Sequence, residues 1–295
     1  MNLTQLHDRL YEVLCTVDDI CRKENVRYFL DGGTEIGAVR EKDFVPWDDD
    51  LDLAVLLEDY PAFKAAMEKS LPEHYHIIGA EAFQPAFFDM INRIYDDRYL
   101  VRRPSEENDY YHNLQNHIGT DVFIYGRFPE NPIQQKILTL GLKILYGMGM
   151  AHRWKVDLKE YTPLQRLQVR VLCALGKPWK AGTIIRAYWK WAGWFDRHSA
   201  KSPLCYLINN LPKDIGRPIM QYAWFERAAD GEIRRRRFPV TGNYDAKLTA
   251  VYGDYMKPPK DLNDYERHLD EDELPQSVEA FTQKKDKDER GEVQA

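Results

Sequence analysis

Residues 28–56 read YFLDGGTEIGAVREKDFVPWDDDLDLAVL and join two apolar segments through a glycine turn and a run of acids. The first segment, residues 26–30, is rich in β-branched and aromatic side chains and stops at an Asp-Gly-Gly turn, which is typical of a strand. The second, residues 51–57, is typical of a buried strand with Asp52 at its N-terminal end. Thr34 is a suitable cap for a short helix that ends near residue 39. The pattern predicts a strand, a tight turn, a helix and a second strand.

The acids in this stretch are crowded enough to need a counter-charge. Asp48, Asp49, Asp50 and Asp52 lie close together, and two carboxylates about 4 Å apart repel each other by roughly 4 kcal/mol at an effective dielectric of about 20. A bound divalent cation removes that repulsion. Asp50 and Asp52 point to the same side of a strand, so they are the predicted metal ligands, with Asp48 as a further ligand. We expect Mg²⁺, with Mn²⁺ as the alternative.

A glycine turn just upstream of paired carboxylates points to metal-assisted phosphoryl or nucleotidyl transfer. Gly32 and Gly33 carry no Cβ, so their backbone N–H groups can approach a phosphate, and Thr34 opens a helix whose N-terminus attracts anions. A third carboxylate usually ligates the metal or accepts the proton of the attacking hydroxyl. Asp121, which precedes the apolar run 122–124, is the predicted third carboxylate. A strand-end aspartate that caps a neighbouring turn is the alternative.

Two other interpretations of the acidic run are weaker. A solvated acidic loop does not account for the flanking turn and strand. A calcium loop would use Asp48, Asp50 and Asp52, with Asp59 at its twelfth position. Leu53 stands at the sixth position, where such a loop carries glycine, and the segment that follows is strand-like. We therefore favour the transferase interpretation.

The remaining sequence predicts an α+β protein with a mixed sheet and flanking helices. Helices are predicted at 1–24, 59–70, 134–150, 163–175 and 180–197, and further strands at 74–79, 87–95, 99–102 and 120–125. We divide the chain into a catalytic core at 1–130, a basic helical region at 131–212, a segment at 213–268 that packs back on the core, and a disordered tail at 269–295.

Composition excludes several classes of protein. The chain is 44% hydrophobic and 30% charged, and no apolar run approaches the roughly 20 residues that cross a bilayer. The N-terminus lacks the pattern of a secretory signal and the four cysteines form no CxxC pair, so we expect a cytoplasmic protein with reduced thiols. The net charge of −6 gives no reason to expect a nucleic-acid partner.

Charge is unevenly distributed along the chain. Residues 134–201 contain 13 Lys or Arg against three Asp or Glu, a local net charge of +10. This region is either a solvated helical face or a surface that meets an anionic polymer or the inner face of the membrane. Residues 270–295 contain nine acids, four bases and few apolar side chains, a composition typical of disorder.

Residues 28–56 as a whole resemble the signature of the LicD family of phosphotransferases. Residues 119–124 resemble that family's Asp-Ile-Phe segment, and residues 252–259 followed by His268 resemble its C-terminal block. The resemblance implies a nucleotidyltransferase-like fold. It also implies transfer of phosphocholine, or a similar substituted phosphate, from a CDP-linked donor to a sugar hydroxyl of a surface glycan, such as lipopolysaccharide or a teichoic-acid precursor. The fukutin-related enzymes, which use CDP-ribitol, share the pattern.

The resemblance also assigns individual residues. It places the phosphate turn on Gly32, Gly33 and Thr34, the family's arginine on Arg40, and the metal carboxylates on Asp50 and Asp52. The chain departs from the pattern after Asp121, where it reads Val-Phe-Ile-Tyr rather than Ile-Phe-Pro-Leu, and at two positions near the glycine turn. Glu35 stands where relatives usually carry an apolar residue, and Glu41 stands where a basic residue is common.

The predicted catalytic residues are Asp50, Asp52 and Asp121. Mg²⁺ held by Asp50 and Asp52 is expected to bridge the diphosphate of the donor, and Asp121 to orient or deprotonate the acceptor hydroxyl. Arg93 and Arg40 are candidate phosphate contacts, with an ordinary ion pair as the alternative.

Trp47 is a candidate to stack on the base or the headgroup, with a core position as the alternative. Two other functions stay open at this point. A sugar-nucleotide glycosyltransferase also uses an Asp-x-Asp metal site, and a non-catalytic module of the same fold would bind a nucleotide without turnover.

Overall fold

The computed structural model describes residues 3–103, 105–159, 161–209 and 219–258. The tail predicted at 269–295 and His268 of the predicted C-terminal block lie outside these ranges. Among the residues described, no helix is both long enough and apolar enough to cross a membrane.

A mixed sheet forms the centre of the fold. Its strands are β1 (Phe29–Leu30), β2 (Asp52–Leu56), β3 (Tyr75–Ile78), β4 (Arg93–Leu100), β5 (His117–Arg127), β6 (Leu204–Leu207) and β7 (Met220–Gln221). The strand order is β1-β2-β5-β4-β3, while β6 pairs with the C-terminal end of β5 and carries β7 on its other edge. Strands β2 and β5 run parallel and the other pairs run antiparallel. The predicted α+β fold with a mixed sheet is confirmed.

Helices cover the sheet. They are α1 (Leu3–Glu24), α2 (Gly32–Ile36, continued by a π-helical turn at Gly37–Glu41), α3 (Tyr60–Ser70), α4 (Glu106–Tyr110), α5 (Pro132–Gly149), α6 (Pro163–Gly176), α7 (Ala181–His198) and α8 (Tyr244–Tyr252). Helix α1 buries Leu6, Leu10 and Leu14, which recur on one face, and it packs against β5. The helices predicted from periodicity in the middle of the chain correspond to α5, α6 and α7.

One predicted pair of strands is wrong. The pattern predicts separate strands at 87–95 and 99–102, whereas the structure has a single strand, β4, that starts only at Arg93. Phe87 and Met90 precede it in a loop, and both are completely buried in the main core cluster. The Met90 carbonyl accepts a hydrogen bond from Asn209 Nδ2 at 2.7 Å. Side-chain contacts from a distant segment thus replace the strand ladder that local composition predicts.

A hairpin and the last described helix close over α2. The hairpin consists of β8 (Ala228–Ile233) and β9 (Arg236–Thr241). At Gly231 a Cβ would lie 2.8 Å from Ala38 Cβ, so the hairpin backbone packs tightly on the π-helical turn. The main core cluster includes residues from the predicted core, the helical region and the C-terminal segment. The domain boundaries given above stay a prediction.

Candidate active site

Three charged side chains stand in a row across adjacent strands. Asp52 of β2 is the register partner of Asp121 of β5, and Asp121 is the partner of Arg93 of β4. Residues paired in this way project from the same face of a sheet. Arg93 Nε lies 3.0 Å from Asp121 Oδ1. The structure therefore brings together three residues that the sequence analysis selected from three separate segments.

The loop before β2 adds further carboxylates to this row. Asp48 is 8% exposed. Burial raises its pKa well above the usual value, as does the neighbouring Asp50, which shares a hydrogen bond with it. Burial likewise raises the pKa of Asp52 well above its usual range, and the charges of Asp50, Asp121 and Asp31 act in the same direction. The site is a cluster of like charges that disfavour one another's ionisation.

The glycine turn lies directly against these carboxylates. Gly32 has φ +54°, a conformation that favours glycine, and a Cβ there would lie 2.5 Å from Asp52 Oδ2. At Gly33 a Cβ would lie 1.8 Å from Asp48 Oδ2. Because the two glycines lack side chains, the carboxylates of Asp52 and Asp48 can occupy the space beside the turn.

Thr34 does not cap the helix as the sequence analysis predicts. Helix α2 begins at Gly32, with Asp31 at the N-cap position. Thr34 is buried, and its Oγ1 accepts a hydrogen bond from the backbone N–H of Asp52 at 3.0 Å. The hydroxyl thereby ties the turn to the start of β2, because it bonds a distant backbone group rather than its own helix.

A buried ion-pair network supports the turn, and the sequence analysis missed it. Lys247 of α8 is 1% exposed, and its Nζ donates to Asp31 Oδ1 at 2.5 Å and to Glu35 Oε2 at 2.6 Å. Tyr125 Oη donates to the second oxygen of Asp31 at 2.7 Å. The second oxygen of Glu35 accepts from the backbone N–H and the hydroxyl of Thr241. Each carboxylate oxygen in the network has a donor.

Burial lowers the pKa of Lys247, but the charges of Asp31 and Glu35 outweigh it, so the pKa is raised and the side chain is charged. Glu35 was the available sequence signal, because an acid in place of an apolar residue requires a buried cation nearby. Nothing in the local sequence of Lys247 identified it as that cation.

Arg93 is more enclosed than a simple phosphate contact would be. Its Nη1 donates to the Gln115 carbonyl at 2.6 Å and its Nη2 to the His117 carbonyl at 3.4 Å. Together with the contact to Asp121, these bonds engage all three nitrogens of the guanidinium group. Arg93 is therefore placed to hold Asp121 in position.

Arg40 and Trp47 lie next to each other beside α2. The guanidinium carbon of Arg40 is 5.7 Å from the centre of the Trp47 ring, and the group also bonds Glu41 Oε1 at 2.6 Å and the Tyr255 carbonyl at 2.5 Å. Trp47 is 8% exposed and packs in a small buried cluster with Leu248. Its Nε1 has no hydrogen-bond partner within the described part of the chain. The substrate contacts of both residues stay predictions.

Asp89 is a second site residue that the sequence analysis missed. Burial raises the pKa of Asp89, and the negative charge of Asp121 raises it further, whereas the positive charge of Arg153 lowers it. Arg153 Nη2 lies 3.5 Å from Asp89 Oδ2 and donates to Tyr146 Oη at 2.5 Å. Asp89 thus places a further carboxylate near the row, and the available signal was an acid inside the apolar run 86–91.

The carboxylates suit a divalent cation in their chemistry. Asp48, Asp50 and Asp52 offer the hard oxygen ligands that Mg²⁺ prefers, and a cation would relieve the repulsion that helps to raise the pKa values of Asp48 and Asp52. Across the ranges that the structure describes, however, no group of three His, Cys, Asp or Glu side chains is arranged to hold a metal ion as it stands. Metal binding would require these side chains to turn, and the ligand assignment stays a prediction.

The chain is similar to known transferases. Residues 25–136 match the nucleotidyltransferase domain described as LicD/FKTN/FKRP. The chain is 26% identical over 269 residues to the lipopolysaccharide cholinephosphotransferase LicD of Haemophilus influenzae, an alignment that covers 85% of this chain and 90% of that protein. It is 28% identical over 130 residues to the ribitol 5-phosphate transferase FKRP of Homo sapiens and of Mus musculus, covering 43% of this chain and 22% of each relative.

The matched segment contains the glycine turn, the acidic loop and the row formed by Asp52, Asp121 and Arg93, whereas Lys247 lies outside it. The resemblance drawn from the sequence is confirmed, because residues 25–136 match the nucleotidyltransferase domain described as LicD/FKTN/FKRP.

Proposed function

We propose that the protein is a phosphotransferase that moves a substituted phosphate from a CDP-linked donor to a sugar hydroxyl of a glycan, with phosphocholine as the first candidate. The family domain and the names of its relatives support the reaction class. The observation that carries the proposal is the register of Asp52 with Asp121 beside the glycine turn. Two carboxylates from different strands therefore meet where a backbone turn approaches them.

Asp121 is the residue proposed to orient and deprotonate the acceptor hydroxyl. Its side chain is 27% exposed, whereas that of Arg93 is 12% exposed. Since Arg93 fixes one oxygen of the carboxylate, the carboxylate presents a defined edge to an incoming sugar hydroxyl. Asp121 would orient that hydroxyl and accept its proton as the bond to phosphorus forms.

Asp50 and Asp52 are the proposed holders of Mg²⁺, with Asp48 as a further ligand. When bound, the ion would neutralise negative charge on the donor diphosphate and on the departing CMP. The backbone of Gly32 and Gly33 would lie beside the same diphosphate.

Turnover of the full-length chain with labelled donors tests the proposal. We expect CMP release from CDP-choline, CDP-ribitol or CDP-glycerol in the presence of Mg²⁺ and a glycan acceptor. Asp121→Asn should lower kcat by about 10² to 10⁴-fold, as expected for loss of a general base. Asp230→Asn, at an exposed aspartate of the β8–β9 hairpin, is the matched control and should leave kcat unchanged. Turnover of UDP-sugars in place of CDP-linked donors would refute the proposal in favour of a glycosyltransferase.

Thermal-shift measurements separate binding from catalysis. A ligand that binds the folded state raises the melting temperature, and a ligand at 100 times its Kd stabilises by about 2.7 kcal/mol. We expect CDP-linked compounds to raise it more with Mg²⁺ than without. A clear shift without CMP release from any donor and acceptor would indicate a non-catalytic nucleotide-binding module.

A further inference from the structure

Helix α5 has a stripe of apolar side chains on the face that points away from the rest of the protein. Its buried face includes Leu138 and Leu142, whereas residues on the opposite face are exposed at helical spacing. The exposed stripe consists of Ile133 (67%), Ile137 (47%), Leu140 (60%) and Ile144 (38%). A helix at the surface of a globular protein normally shows the reverse pattern, with polar residues outward.

Helix α6 repeats this arrangement. It packs on α5 near its own C-terminus, where a Cβ on Gly147 would lie 2.5 Å from Leu172 Cδ1 and a Cβ on Gly176 would lie 2.0 Å from the Met148 carbonyl oxygen. The opposite face of α6 is an exposed stripe of Leu164 (65%), Leu167 (58%), Val171 (50%) and Leu175 (56%). We call the two stripes together the α5–α6 apolar face. Exposed apolar side chains in such a series mark an interaction surface.

The charges on these helices are all of one sign. Neither α5 nor α6 contains Asp or Glu, and each contains two cations. Every cation directly precedes a residue of the apolar face: Lys136 before Ile137, Lys143 before Ile144, Arg166 before Leu167, and Arg170 before Val171. All four cations are exposed. Trp179, 55% exposed, follows α6. Long cationic side chains beside apolar residues can reach the headgroups while the apolar residues enter the bilayer.

The charge pattern indicates which partner binds the α5–α6 apolar face. A second copy of the chain would bring these cations against one another, which disfavours a symmetric dimer through this face. The acidic residues 270–295 match it in charge but carry few apolar side chains. An anionic bilayer supplies both negative headgroups for the four cations and an apolar interior for the eight exposed side chains.

We propose that the α5–α6 apolar face docks on an anionic lipid bilayer, so that the protein acts at a membrane surface. The docking face is linked to the site by packing. Helix α5 ends next to Arg153, which contacts both Tyr146 of α5 and Asp89, the acid near Asp121. Docking does not depend on the proposed reaction, but under that reaction it favours an acceptor glycan carried on a lipid.

Vesicle flotation of the full-length chain tests the docking directly. We expect flotation with phosphatidylcholine vesicles that contain phosphatidylglycerol, and much less with phosphatidylcholine alone. Leu167→Glu combined with Val171→Glu should abolish flotation, and Leu167→Gln combined with Val171→Gln should weaken it without adding charge. Arg170→Gln should weaken binding to anionic vesicles by about fivefold. Met256→Glu, at a residue that is 55% exposed outside this face, is the matched control.

Three results would overturn the proposal. They are no flotation with anionic vesicles, flotation that both Leu167/Val171 variants leave unchanged, and a dimer in solution that these variants convert to monomer. Far-UV circular dichroism confirms that each variant is folded. Release of CMP from a CDP-linked donor by the Glu variant, measured with a water-soluble acceptor, distinguishes a docking defect from a catalytic defect.

Discussion

Lys247 Nζ lies 2.5 Å from Asp31 Oδ1, although the two residues are 216 positions apart. The contact joins the last described helix to the residue that precedes the glycine turn. Because Asp31 also adds to the negative charge around Asp52, Lys247 influences both the position and the electrostatics of the site.

Replacement of Lys247 should strongly destabilise the fold. Lys247→Met leaves Asp31 and Glu35 buried without their cation, and removal of one partner from a buried pair costs about 3–5 kcal/mol. Urea denaturation measures the loss in the free energy of unfolding. Adding Glu35→Gln to Lys247→Met should recover part of it. Lys257→Met, at a lysine whose side chain is 82% exposed, should leave the urea midpoint unchanged. Equal midpoints for Lys247→Met and wild type would show that the network does not stabilise the protein.

Asp52→Asn should abolish transfer and stabilise the fold. Burial and four neighbouring carboxylates raise the pKa of Asp52, so its ionised form is unfavourable in the folded state at neutral pH. A raised carboxyl pKa means that stability is lost as pH rises from the usual aspartate range through the folded-state value. A neutral amide avoids that loss. In metal-free buffer the melting temperature of the variant should therefore exceed that of wild type. A lower melting temperature, with Asp230→Asn unchanged, would contradict this electrostatic account.

His7 should make stability depend on pH in the mildly acidic range. Its Nε2–H donates to the Asp48 carbonyl at 2.7 Å, its ring stacks on Phe44 at 4.9 Å, and burial lowers its pKa. The unfolded chain therefore binds the proton more readily, and stability falls as pH drops below about 6.5. His7→Gln should reduce the slope of the melting temperature between about pH 5 and 6.5. An identical slope in both proteins would assign the dependence to other groups.

Gly32→Ala should lower both stability and turnover. The new Cβ would meet Asp52 Oδ2 at 2.5 Å, and φ +54° is strained for alanine. Gly253→Ala is a matched control, because Gly253 has φ +71° and no neighbouring atom within 4 Å of the place that an alanine Cβ would take. Each substitution should cost about 1 kcal/mol through the backbone, but only Gly32→Ala should reduce kcat. Equal kcat values in the two variants would show that the space beside Asp52 does not matter for the reaction.

Local patterns were sufficient to predict most helices and the two strands that carry Asp52 and Asp121. Residues 51–57 combine apolar content with an acid at the strand entrance, and the structure has β2 at Asp52–Leu56. The start of β4 was not predictable in this way, because Phe87 and Met90 have strand-like composition and are held in a loop by tertiary hydrogen bonds, from the Phe87 N–H to the His152 carbonyl and from Asn209 to the Met90 carbonyl.

The residues of the candidate site also differ in whether the sequence alone could predict them. Asp52 and Asp121 were identifiable because a short motif surrounds each of them, and their register brings them together. Arg93 was identified only as a candidate phosphate contact, with an ordinary ion pair as the alternative, and its ion pair with Asp121 and its two hydrogen bonds to backbone carbonyls became visible only with the sheet. Lys247 and Asp89 were missed, since their importance arises from neighbours more than 30 residues away in sequence.

The separation of Lys247 from the glycine turn has a consequence for biosynthesis. Asp31 and Glu35 leave the ribosome 216 and 212 residues ahead of the cation that neutralises them. At about 5–20 residues per second, that interval lasts roughly 10 to 40 seconds. During this time the nascent chain has every strand of the family domain but cannot bury these two acids at low cost. The glycine turn can therefore reach its final buried state only after α8, the last described helix, has been synthesised.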